Sequence, residues 1–109
     1  MKMLIAIIQD EDATKLLAAL MNEGYSVTKL ATTGGFLRAG NTTVLLGVEE
    51  NRLAGALAVI ERTCSSRRQV GTSQSPITGT PGMEEPHPIE VTVGGATIFV
   101  IDVEQFARF

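Results

Sequence analysis

At 109 residues, with 44% hydrophobic and 19% charged positions and a mean hydropathy of +0.18, the chain has the size and apolar content of one folded domain, which argues against wholesale disorder. A net charge of −3 and a pI near 5.0 give no electrostatic case for duplex DNA or an anionic membrane. The single cysteine, Cys64, allows no intrachain disulfide and fits a reducing cytoplasm. The low charged fraction and small size favour a homo-oligomer.

The first strand is predicted over residues 3–9, a continuous isoleucine-rich apolar run of the kind buried on both faces. It is too short for a membrane span, and acidic residues follow where a signal peptide needs a small-residue cleavage site. Asp10, Glu11 and Asp12 supply cap and first-turn chemistry for a helix. Ala13, Leu16, Leu17, Leu20 and Met21 then recur at helical spacing. Gly24 is read as its left-handed C-terminal cap. Residues 25–33 alternate and carry β-branched side chains, so they read as a second strand.

A turn holding Gly34, Gly35 and Phe36 leads into a third strand over residues 42–48. Glu49, Glu50 and Asn51 cap a second helix, whose apolar face is Leu53, Ala56, Leu57, Ile60 and Cys64. Cys64 at a core-facing position reads as a small buried hydrophobe rather than a reactive thiol. Arg67 and Arg68 read as a solvated helix end rather than a nucleic-acid patch. Residues 65–88 hold all four prolines and lose all periodicity, which predicts a long loop. Residues 89–103 alternate on both sides of Gly94 and Gly95, as a hairpin or as one long bulged strand.

The element order is β–α–β, β–α–β with a strand extension. This is the ferredoxin-like split-βαβ arrangement, an α+β fold in a single domain over residues 1–109. Two helices cover one face of such a sheet, and the other stays bare unless a further copy covers it.

Catalytic chemistry is thinly supplied. His87 lies between Pro86 and Pro88 with no nucleophile paired to it, and Glu84 and Glu85 lack a metal-ligand spacing. No phosphate-loop or dinucleotide glycine motif is present. The expectation is a protein without enzymatic activity, bound metal or cofactor. Binding chemistry is better represented. Gly34 and Gly35 free the backbone to aim amide groups at an anion. Phe36 offers a stacking face, Asn41 a donor and an acceptor, and Thr28 a hydroxyl. Gly47 in an otherwise bulky strand marks close approach to the backbone. Each also has a plain structural reading, as turn glycines, a core phenylalanine, a hairpin asparagine and a strand bulge.

The strings TKLATTGGFLRAGNTT at residues 28–43, VTVGGATIFV at 91–100 and IAIIQDED at 5–12 resemble the PII-like receptors for cyclic di-AMP, and the resemblance spans essentially the whole chain. It implies a bacterial, cytoplasmic homotrimer with ligand sites between neighbouring subunits, which senses the dinucleotide without catalysis and signals to a protein partner. Carried over position by position, Thr28 and the amides of Gly35, Phe36 and Leu37 hold phosphate and sugar. Asn41 and the Gly47 backbone read an adenine, and Phe36 and Phe99 supply apolar walls. This chain departs from the family pattern at three further places, with Ser26 for arginine, Gly24 for asparagine and Arg108 for glutamine. The loss at Ser26 removes a cation that Arg108 could restore. The long loop reads Met83-Glu-Glu-Pro-His-Pro88 where the family has aromatic residues. The alternative implied by these departures is a trimeric adaptor with weakened or altered nucleotide specificity.

Overall fold

The computed structural model describes residues 1–30, 40–72 and 88–109; the expected GGF turn and most of the expected long loop lie outside them. The described elements are β1 (Lys2–Gln9), α1 (Asp10–Asn22), β2 (Val27–Leu30), β3 (Asn41–Val48), α2 (Glu50–Cys64), β4 (Arg67–Thr72), β5 (Pro88–Val93) and β6 (Ala96–Asp102). Four strands form one antiparallel sheet in the order β2-β3-β1-β6. With two helices between them, this α+β arrangement is compatible with the ferredoxin-like fold.

The alternation of β1 decides the two faces of the sheet. Leu4, Ala6 and Ile8 are buried toward the helices, each opposite a helix-facing residue of β3: Leu46, Val44 and Thr42. Leu16 and Leu20 of α1 and Ala56, Val59, Ile60 and Cys64 of α2 close this core. The spacing of those side chains is what makes both helices amphipathic. The opposite face carries Met3, Ile5, Ile7, Leu45, Phe99 and Ile101, and among the described residues no helix covers it.

Helix α1 ends in a Schellman motif. Gly24 adopts φ +84°, Tyr25 N donates to Leu20 O, and Gly24 N donates to Met21 O. This satisfies carbonyls that the helix end would otherwise leave unpaired. Arg52 of α2 then packs over the Tyr25 ring at 4.1 Å and donates to Glu23 O at 2.8 Å.

Three expectations need correction. First, α1 begins at Asp10, and no side chain caps it. The Gln9 amide oxygen instead accepts from Gly94 N at 2.8 Å, and Asp10 accepts from the Thr42 hydroxyl. Second, Arg67 is not a solvated helix end. It opens β4 and reaches back to Asp12, which is 1% exposed, with Nη2 at 2.8 Å from Oδ1. Residues 67–72 are therefore a strand, although composition placed them in the loop. Their sequence has no alternation, and pairing with β5 is what defines them.

Third, residues 89–103 form neither a hairpin nor one long bulged strand. Gly94 and Gly95, at φ +81° and +104°, turn the chain from one sheet to another. Upstream, β5 pairs with β4 as a separate two-stranded ribbon; downstream, β6 pairs with β1. A Cβ at Gly94 would stand 2.5 Å from Arg67 Nη1 and 2.7 Å from Ser65 O, so glycine is required here by space as well as by φ.

Candidate ligand-binding site

At one end of the open sheet face lies a cleft of 520 Å³. Its floor is the β2–β3–β1 corner, where Thr28 pairs with Leu45 and Gly47 pairs with Met3. One wall is Met1 with Ser26, the residue that leads from the α1 cap into β2. The other is the C-terminal segment after β6, which contributes Val103, Gln105, Phe106 and Arg108. That segment is anchored where Val103 N donates to Met1 O at 3.1 Å.

Gly47 leaves the floor open. A Cβ built on it would meet nothing nearer than Met1 Sδ, at 4.0 Å. Among the described residues, close backbone approach is thus available to an incoming group rather than taken up by another part of this chain. Charge at the cleft comes from Arg108, which forms no ion pair among the described residues. Lys2, by contrast, is neutralised. It bonds the Asp102 carboxylate and lies 3.5 Å from Glu50, and the bond to Asp102 raises its pKa and lowers that of Asp102. Two exposed hydroxyls, a cation, an open glycine and the exposed Phe106 ring can together hold a phosphate and a flat apolar ring. Among the described residues, no carboxylate, histidine or thiol side chain lines the cleft.

Of the nine residues named from sequence, Ser26, Thr28, Gly47 and Arg108 converge on this cleft. Gly35, Phe36 and Leu37 lie outside the described residues. Phe99 is 53% exposed on β6, opposite Ile5. It shares the open face with Thr28 but stands three strands away, on the order of 14 Å at ~4.8 Å per strand.

Asn41 is the first residue of β3, opposite Gln9, while Gly47 is near the end of that strand. They share the open face, but six residues at ~3.3 Å separate them by about 20 Å. Within one chain these two cannot touch the same adenine.

The whole chain, residues 1–109, matches a family model described as "Cyclic-di-AMP receptor". This chain belongs to the cyclic-di-AMP receptor family. It is also similar to a solved structure, the crystal structure of a functionally unknown protein from Pediococcus pentosaceus ATCC 25745. The identity is 41% over 99% of this chain and 96% of that one, with a TM-score of 0.78.

Sequence reasoning did not name Met1, Met3, Gln105 and Phe106, which also line the cleft. The signal for Phe106 was present, since an aromatic residue beyond the last strand, 63% exposed, has no core to fill. The methionines carried no signal, because their role depends on where the tail crosses them. Among the described residues no helix is long and apolar enough to cross a membrane, and no group of three or more His, Cys, Asp or Glu is placed to hold a metal ion.

Proposed function

We propose that the protein is a non-enzymatic bacterial cytoplasmic receptor that binds cyclic di-AMP between neighbouring subunits of a homotrimer and relays binding, through the segment of residues 65–88, to a protein partner. The observation that carries this reading is the convergence of Ser26, Thr28, Gly47 and Arg108 on one cleft in a chain of the cyclic-di-AMP receptor family. The phosphates of the ligand meet the hydroxyls and Arg108, and an adenine lies over the bare Gly47 backbone. The separation of Asn41 from Gly47 supports a site shared between copies, with Asn41 of one subunit brought to Gly47 of the next. The apolar face of Ile5, Ile7, Leu45, Phe99 and Ile101 supplies surface for that association.

Calorimetric titration tests the reading. Cyclic di-AMP should bind at micromolar protein concentration with one site per subunit, and cyclic di-GMP and ATP should bind far more weakly. No heat with cyclic di-AMP would overturn it.

A second reading, a trimeric adaptor with altered nucleotide specificity, rests on Ser26, which places a neutral hydroxyl where the resemblance calls for arginine. A partner captured equally with and without cyclic di-AMP would favour it.

A further inference from the structure

The turn of residues 9–12 touches two parts of the molecule, the start of β3 and the root of the β4–β5 ribbon. On one side it grips the start of β3. Asp10 N donates to Gly40 O at 2.8 Å, the Asp10 carboxylate accepts from the Thr42 hydroxyl, and Gln9 pairs with Asn41. On the other side it grips the root of the β4–β5 ribbon. The Asp12 carboxylate takes Arg67 in a two-pronged contact, Nη2 to Oδ1 at 2.8 Å and Nη1 to Oδ2 at 3.4 Å. The Gln9 amide oxygen accepts from Gly94 N, where the ribbon rejoins the main sheet.

Both grips fall within four residues that join the end of a central strand to the first turn of a helix. Asp12 is 1% exposed. A carboxylate so placed is tolerated only when paired, so the Arg67 contact is not an optional surface bridge. Gly94 confirms the tightness from the opposite side, having no room for a methyl group beside Arg67 Nη1. The Arg67 guanidinium also donates to Ser65 O at 3.3 Å, which fixes the ribbon root against the end of α2. A displacement of the Asn41 end of β3 must therefore move Asp10, and with it Asp12 and Gln9, or break the hydrogen bonds that hold them.

We propose that this turn is a coupling element, in which Asp10 positions Asn41 while Asp12 and Gln9 root the β4–β5 ribbon, so that order at the start of β3 and order in the ribbon rise and fall together. Its ligand-dependent consequence rests on the proposed cyclic di-AMP site: a ligand that holds Asn41 tightens the ribbon. The coupling within the free protein does not depend on that reading. Because coupling free energies are reciprocal, a perturbation from either end must be felt at the other.

Native-state hydrogen exchange on the full chain without ligand tests the coupling. Thr42→Val keeps the side-chain shape and removes the donation to Asp10. It should speed exchange of the amides of residues 67–72 by threefold or more. In the reverse direction, Arg67→Gln should speed exchange at residues 41–43 to a similar degree. Should Arg67→Gln fold poorly with Asp12 left charged, Asp12→Asn combined with Arg67→Gln removes the charge at both partners and reads the same amides. The amides of residues 56–60 in α2 serve as the reference. Exchange changes confined to the mutated side, or rising equally at residues 56–60, would overturn the proposal.

A second arm adds cyclic di-AMP. In the natural protein the ligand should slow exchange at residues 67–72, and in the Asp12→Asn/Arg67→Gln variant this slowing should fall at least threefold. Unchanged slowing in that variant would contradict the coupling. Failure of the natural protein to bind cyclic di-AMP would remove the proposed ligand while leaving the ligand-free result to decide the coupling.

Discussion

Asn41 and Gly47 lie on the same face of β3 and at its opposite ends, too far apart for one adenine to touch both. Each is therefore expected to matter for binding while belonging to a different half of the site. Asn41→Ala removes a donor and an acceptor without disturbing the core. Gly47→Val introduces a side chain where only Met1 Sδ stands nearby, at 4.0 Å from the first added atom. Both variants should melt close to the natural protein. Asn41→Ala should weaken cyclic di-AMP by about tenfold, the scale of one hydrogen-bonded contact near 1.4 kcal/mol. Gly47→Val should abolish measurable binding by filling the open floor.

Arg108 is the cation of the cleft and has no ion-pair partner among the described residues. Arg108→Gln should weaken cyclic di-AMP by about ten- to a hundredfold, as expected for a hydrogen bond to a charged group worth roughly 1.5–3 kcal/mol. The salt dependence of binding should shrink with it, because an exposed charge contact is screened. Titrations at two ionic strengths read both effects. Ser26→Arg should act in the opposite sense and tighten binding.

The uncovered sheet face gives a prediction about association. Phe99 and Ile101 are 53% and 43% exposed, beside Ile5 and Met3. Phe99→Asp places a carboxylate in that apolar face, and in each subunit of any assembly built on it. Light scattering should report a mass that is a multiple of 11.6 kDa for the natural protein and the single-chain mass for the variant.

Cys64, the last residue of α2, is fully buried, and burial is the main cause that pushes its thiol from 9.0 to about 11, with the Asp12 charge adding to it. The folded state thus holds the thiol proton more tightly than the unfolded chain does. The resulting stability is fully present below pH 9 and is lost as pH rises from about 9 to 11. Denaturant midpoints measured across that range should fall in the natural protein and fall less steeply in Cys64→Ala. Alkylation at pH 8 should be slow until the protein unfolds.

Gly55 faces the Tyr25 hydroxyl, and an added Cβ would stand 2.5 Å from it. Gly55→Ala gains about 0.5–1 kcal/mol of helix preference but displaces a ring held by Arg52 and by the 3.1 Å bond to Arg52 O. Overpacking of about 1–3 kcal/mol should prevail, so the variant should melt lower. Removing the hydroxyl leaves Cζ at an ordinary 3.8 Å. Tyr25→Phe combined with Gly55→Ala should therefore recover stability relative to Gly55→Ala alone.

What could be read from the chain followed from how local each feature is. The stripe Leu16, Leu20 on α1 and Ala56, Ile60, Cys64 on α2 carries its period within the helix, and those residues form the core. Gly24 marks its cap because only the adjacent helix end is involved. Arg67 and Asp12 could not be read this way. An acid at a helix start looks like cap chemistry until a cation 55 residues later is known to reach it. The sequence RRQVGT of β4 has no alternation, since it belongs to a ribbon outside the main sheet. At the site, Thr28 and Gly47 were singled out by their chemistry, a hydroxyl and a glycine in a bulky strand, whereas Ser26 and Arg108 were named by family resemblance. Their meeting depends on the tail crossing back to Met1, a contact that no local pattern encodes.

The central claim is that one cyclic di-AMP site is built from two subunits, and a mixing experiment tests it most directly. Asn41→Ala and Gly47→Val chains, each deficient alone, are co-expressed and titrated with cyclic di-AMP. If Asn41 of one subunit serves Gly47 of its neighbour, mixed assemblies contain interfaces in which both residues are intact. Calorimetry should then recover a fraction of sites with the affinity of the natural protein. Recovery of none, with mixed assembly verified by mass, would contradict the account.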